Sequence, residues 1–160
     1  MNQSCNERIL GEVVRIDVVP QSLCSFVVPF QVPDIISMTG IIGQPVLTIN
    51  YVGDEEATGM MDQEPKLKVT DKIQPAGRVR QHEVQAAVTD GLEGVRSAVA
   101  ALQGVDFNIL LTTADGERYL CYALPNTAQI TLQEQMSATA DLTVKAVVQS
   151  MSGPIRLSAS

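Results

Sequence analysis

The residues best suited to chemistry are few and scattered. His82 is the only histidine. As a general base it would need a nucleophile or an activated water within hydrogen-bond reach. It sits instead inside "RVRQHEVQAAVTD", an alternating run with no serine or cysteine motif beside it, and reads as an ordinary strand residue. Cys5, Cys24 and Cys121 are odd in number and lack the close pairing of a zinc site or a redox motif, so they read as buried or incidental thiols. Asp54, Glu55 and Glu56 gather carboxylates, but without the regular ligand spacing of a calcium loop the run reads as a solvated tip. In "TADGE" the pair Asp115-Gly116 is turn chemistry before it is acid catalysis. The glycines never form a phosphate-binding loop followed by lysine, nor a dinucleotide fingerprint after a strand. No catalytic residue, metal or cofactor is therefore expected, and residues brought together only by folding remain the sole route to an enzyme.

The elements around these residues are mostly strands. "RILGEVVRIDVVP" alternates and ends at Pro20, which cannot donate to a sheet ladder. "PVLTINYVG", "PKLKVTDKIQP" and "RVRQHEVQAAVTD" follow the same period, the last turning at Asp90 and Gly91. "DGLEGVRSAVAALQG" changes period: Leu92, Val95, Val99 and Leu102 form a helical stripe, with Thr89 or Asp90 placed to cap its start and Gly104 to end it. "VDFNILLTTADGERYLCYALP" is a hairpin with Phe107, Ile109 and Leu111 on one face, and with Asp115 and Gly116 supplying positive φ at the turn. Both of its faces are partly apolar, which predicts a central position. "QITLQEQMSATADLTVKAVVQS" and "GPIRLSA" add closing strands. The expected fold is mainly β (α+β), a β-sandwich or small barrel with one packed α-helix.

Length and composition agree. A chain of 160 residues fits one domain, able to bury roughly two-thirds of the surface its unfolded form exposes. Apolar residues at 45% and charged residues at 18% exclude a disordered chain. A net charge of −7 disfavours binding to phosphate backbones or anionic lipid through a basic face. No apolar run approaches the roughly 20 residues that span a bilayer. "MNQSCNERILGEVV" has neither a basic start nor a long apolar core, so synthesis in the cytoplasm is expected.

Two segments break the pattern. Residues 21–43 are apolar but interrupted by Pro29, Pro33, Gly40 and Gly43, and read as an extended arm, buried either in its own fold or against a partner. Residues 53–64, with five acids and two glycines within "GDEEATGMMDQEP", read as a long acidic loop. An arm and a loop on a compact body are parts of a subunit that contacts its neighbours, and the expected oligomer contacts are Phe26, Phe30, Asp54, Glu55, Glu56, Met60 and Met61.

The order of a strand (RVRQHEVQAAVTD), a helix (LEGVRSAVAALQG), a hairpin (FNILLTTADGERYLCYAL) and closing strands (DLTVKAVVQS, PIRLSA), over residues 78 to 158, resembles bacteriophage tail-tube and neck proteins. The resemblance implies a non-enzymatic virion subunit that forms rings, commonly hexameric, whose sheets join around a channel. Its partners would be its own copies and neighbouring tail proteins, with DNA as transient cargo and no membrane. It transfers no catalytic residues. Acids such as Glu12, Asp17, Glu117, Glu134 and Asp141 would then repel DNA from a channel wall, or simply keep the protein soluble. The alternative reading is a small soluble β-domain that binds a protein or ligand as a monomer or dimer.

Overall fold

The computed structural model describes residues 12–27, 37–41, 43–51, 58–61, 65–74, 77–135, 141–150 and 155–157. In chain order the strands are β1 (Val13–Pro20), β2 (Ser25–Val27), β3 (Ser37–Ile41), β4 (Leu47–Asn50), β5 (Gly59–Met61), β6 (Lys66–Gln74) and β7 (Gly77–Asp90). Helix α1 (Leu92–Ala101) follows, and then β8 (Phe107–Thr113), β9 (Arg118–Cys121), β10 (Gln129–Gln135), β11 (Asp141–Ser150) and β12 (Ile155–Leu157). The fold is mainly β with one helix among the described residues.

The strands make one mixed sheet in the order β10-β11-β7-β5-β4-β1-β8-β9-β12-β3-β2, with β6 attached to β7. Most neighbours are antiparallel; β4 with β5 and β12 with β3 are parallel. The path does not close on itself, so the described strands form an open sheet and not a hydrogen-bonded barrel. Its curvature follows from burial. Residues from both halves, including Val84, Val144, Ile130, Ile109 and Tyr119, belong to one apolar core and are each under 5% exposed. A ten-residue helix is only about 15 Å long, and strands sit roughly 4.8 Å apart, so α1 can cover only a few of them. The two halves must therefore fold toward each other and share the remaining cover.

The alternation read in the sequence fixes which side chains enter that core. In β8, Phe107, Ile109 and Leu111 are essentially inaccessible, and across the hairpin Ile109 pairs with Cys121 and Leu111 with Tyr119, both buried. The opposite face is also covered: Val19, Leu110 and Leu120 are 1%, 4% and 1% exposed. The hairpin is central, as its two apolar faces predict, because β1 and β12 flank it. A register shift between Val13 and Arg15 keeps Val13 in the core with Ile16 and Val18, which a strict alternation would not allow.

Three local expectations need correction. The β8–β9 turn takes its positive φ from Gly116 alone (+85°); Asp115 has none. Gly116 N–H donates to Thr113 O at 3.0 Å and Thr113 N–H to Glu117 O at 2.9 Å, a three-residue loop that needs a left-handed residue only at its end. Helix α1 has no side-chain cap: its N-terminal flanking residue is Gly91 at φ +76°, whose own N–H is held by Asp90 Oδ1 at 2.9 Å. A Cβ on Gly91 would lie 2.3 Å from Thr58 O, so glycine is required both by dihedral and by space. Third, residues 53–64 are not wholly a loop, because Gly59–Met61 form β5, which bridges β4 and β7. Residues 21–43 likewise contain a 3-10 turn at Gln21–Leu23 and the paired strands β2 and β3.

Candidate functional site

The feature that the core does not explain is the hairpin of β6 and β7. β7 has 14 residues and serves three strands: β11 along one edge from Arg80 to Val88, and on the other edge β6 from Gly77 to Gln85, then β5 at Val88 and Asp90. β5 is covered on its far side by β4, but β6 has no described strand beyond it. The N–H and C=O groups along that side of β6 form a pairing edge in line with β4.

Side chains on β6 alternate between two characters. Leu67 pairs with Val84, Val69 with His82, and Asp71 with Arg80, so the odd-numbered residues continue the core-side face of the sheet. They are nevertheless exposed, Leu67 by 37%, Val69 by 47% and Ile73 by 85%. The even-numbered residues Lys66, Lys68 and Lys72 are exposed on the other face. Within this hairpin Arg80 Nε meets Asp71 Oδ1 at 3.1 Å, which ties the two strands together. On the polar face Lys145 Nζ lies 3.7 Å from Glu83 Oε1.

His82 lies under this exposed strip, between Val69 and Val148 in the sheet, and is 2% exposed. Neither Nδ1 nor Nε2 has a hydrogen-bond partner. Burial, with the Arg80 charge adding to it, pushes its pKa down to about 4, so the imidazole is neutral. Among the described residues neither an acid nor a nucleophile is hydrogen-bonded to it, as an acid-base arrangement would require. Cys121 is in the core, its thiol pushed up to about 12 by burial alone. Cys24 is half-buried and its thiol is also raised by burial, with the Asn108 side chain and the Gly43 backbone opposing. Among the described residues no group of histidine, cysteine and acid side chains could hold a metal ion, and no helix is long and apolar enough to cross a membrane.

The expected contact residues divide. Phe30, Asp54, Glu55 and Glu56 lie outside the described residues. Phe26 is in β2, with Gly40 of β3 as its backbone partner. Met60 is half-buried in β5 opposite Asp90. Met61 is 2% exposed in the core, so its side chain is occupied within its own chain and is not offered to a neighbour. Removing residues 53–64 would take β5 out of the sheet as well. Of the five acids, Asp17 is not at the surface: it is 4% exposed, accepts from Thr48 Oγ1 at 2.6 Å and pairs with Arg15 Nε at 3.2 Å. Glu134 is bound by Arg96, whose guanidinium it holds more firmly protonated, and Glu117 accepts from the Tyr119 hydroxyl at 3.0 Å. The β6 edge itself was signalled by the three alternating lysines of "KLKVTDK", since lysine on one face is a common guard of sheet edges.

No protein family, curated protein or solved structure matches this chain.

Proposed function

We propose that this chain is a non-enzymatic structural subunit that joins copies of itself into a ring through the β6 edge, as a tube or neck component of a phage tail or a tail-like particle. The observation that carries the reading is the uncovered strand, with Leu67, Val69 and Ile73 on the face that elsewhere forms the core. A strand from a neighbour, laid along β6, would satisfy the edge hydrogen bonds and extend apolar cover over those three residues.

The charges of β6 select the kind of assembly. Two β6 strands related by a two-fold axis would pair antiparallel with each face matched to itself. Centred on Lys68 or Lys72, such a pair sets a lysine against its own copy; centred on Val69 or Thr70, it sets Lys66 or Lys68 against Lys72; centred on Asp71, it sets that acid against itself. Like charges directly opposite destabilise a sheet. Pairing with a different edge of the next copy escapes the conflict, and repeated head-to-tail contacts of that kind close into rings or grow as filaments. Rings of this type would enclose a channel, with DNA passing as transient cargo and the virion tail as the final location.

The test is sedimentation of the wild type beside Val69→Lys/Ile73→Lys, with negative-stain microscopy of any oligomer. Both positions are exposed, so at concentrations too low for assembly the double variant should melt at the wild-type temperature. The expected outcome is a wild-type ring with a central hole and a monomeric variant. A wild type that stays monomeric at high concentration, or an oligomer indifferent to both substitutions, refutes the reading.

A further inference from the structure

The back of the central strands holds a cavity of about 320 Å³, on the side of the sheet away from the main core. Its polar end is set by register. Arg15 of β1 pairs with Thr112 of β8, and Thr112 pairs with Arg118 of β9, so two arginines flank one threonine on the same face. With strands spaced by roughly 4.8 Å, the two arginine backbones stand about 10 Å apart, a gap that long guanidinium side chains can close around one small anion.

Among the described residues that line this end, two arginines face one carboxylate. Asp17, also in the cavity wall, offsets one arginine: Arg15 Nε reaches both of its carboxylate oxygens, at 3.3 and 3.2 Å, and Thr48 Oγ1 donates to it at 2.6 Å. Arg118 is exposed and forms no ion pair among the described residues. One uncompensated cation thus faces a cavity in a chain whose net charge is −7. The other described lining residues are Val19 and Leu110 from the sheet and Gly43 and Pro45 from the segment that leads into β4.

We propose that this cavity binds a small organic anion, a carboxylate or phosphate ester whose head lies between Arg118 and Arg15 above the Thr112 hydroxyl and whose short apolar body rests chiefly on Pro45, beside the narrow strip of Leu110 that the cavity reaches. Guanidinium groups suit both heads because their N–H pairs match two oxygens at once. The volume falls at the small end of the range usual for ligand sites, roughly 300 to 1,000 Å³. The inference is independent of ring assembly, since none of these residues belongs to β6.

The experiment is an amide-detected NMR titration of the full chain with octanoate, phenyl phosphate and inorganic phosphate in separate arms. Expected is a saturable, joint shift of the Gly43, Leu110, Thr112 and Arg118 amides with at least one of the two organic anions at millimolar concentration, and weaker binding of inorganic phosphate, which lacks the apolar body. Tighter octanoate identifies a carboxylate site; tighter phenyl phosphate identifies a phosphate-ester site. Arg118→Gln should weaken binding by about tenfold or more, whereas Lys72→Gln on β6 should leave it unchanged. Thr112→Val, which keeps both arginines, should weaken it less. Absence of a joint saturable shift with either organic anion, or equal affinity in Arg118→Gln and wild type, would overturn the proposal.

Discussion

Replacing His82 with leucine should remove a pH dependence from the stability of the fold. The imidazole is buried with both nitrogens unpartnered, and its pKa lies at about 4 instead of the ordinary 6.5. Between those values the unfolded chain carries a proton that the folded chain refuses, so stability increases with pH across this window. It is fully present above pH 6.5 and is lost as pH falls toward 4. Each pH unit of the gap is worth about 1.4 kcal/mol, giving a total of about 3 kcal/mol. The charge that acts on the ring is Arg80 on its own strand, which is itself paired with Asp71 of β6; Val148, opposite the ring on β11, carries none. Denaturant melts of wild type and His82→Leu at pH 7 and pH 4.5, at a concentration below assembly, separate this effect from the carboxylates that both proteins share. The wild type should lose about 2 kcal/mol more than the variant between these two pH values. At pH 7 the variant should equal or exceed the wild type, since two buried polar atoms without partners have been removed. A wild-type imidazole that titrates near 6.5 by NMR, or parallel pH profiles for the two proteins, would refute the reasoning.

Two further outcomes test the packing. Gly91→Ala forces a side chain into a left-handed residue and against Thr58 O, and should cost about 2 kcal/mol or more in a denaturant melt; a variant as stable as wild type would mean the β5–α1 junction is looser than described. Cys121, inaccessible and with its thiol pushed up to about 12, should resist a maleimide at pH 8 until the chain is unfolded, while half-buried Cys24 reacts before it; peptide mapping of the labelled protein reads the order of these two directly.

Much of the sheet is legible in the sequence because strand periodicity is local. Phe107, Ile109 and Leu111 announce their shared face by spacing alone, and the change to a helical period at Leu92 marks α1. What escapes is whatever depends on distant pairing. Gly59–Met61 carry no strand period of their own and become a strand because β4 and β7 hold them from both sides. Leu67, Val69 and Ile73 alternate just as Val84, Ala86 and Val88 do, yet one set is exposed and the other buried. The difference lies in the neighbours across the sheet, not in the residues. Contact residues sought in the acidic segment therefore include Met61, a core side chain, while the exposed edge lies a few residues further on. The Arg15–Thr112–Arg118 row is equally invisible to spacing, because it is a property of register between strands about ninety residues apart.

The place of β1 in the sheet sets a timetable for synthesis. β1 is bracketed by β4 and β8, and β8 ends at Thr113. At translation rates of about 5–20 residues per second, roughly 5–20 s separate the completion of β1 from that of β8. During that interval Ile16 and Val18 leave the ribosome with only β4 to pair with, and the core they belong to is finished only when β11 arrives. The chain must therefore spend most of its synthesis as an apolar, half-paired intermediate, and its yield in a cell should depend on chaperone capacity more than the stability of the finished fold would suggest.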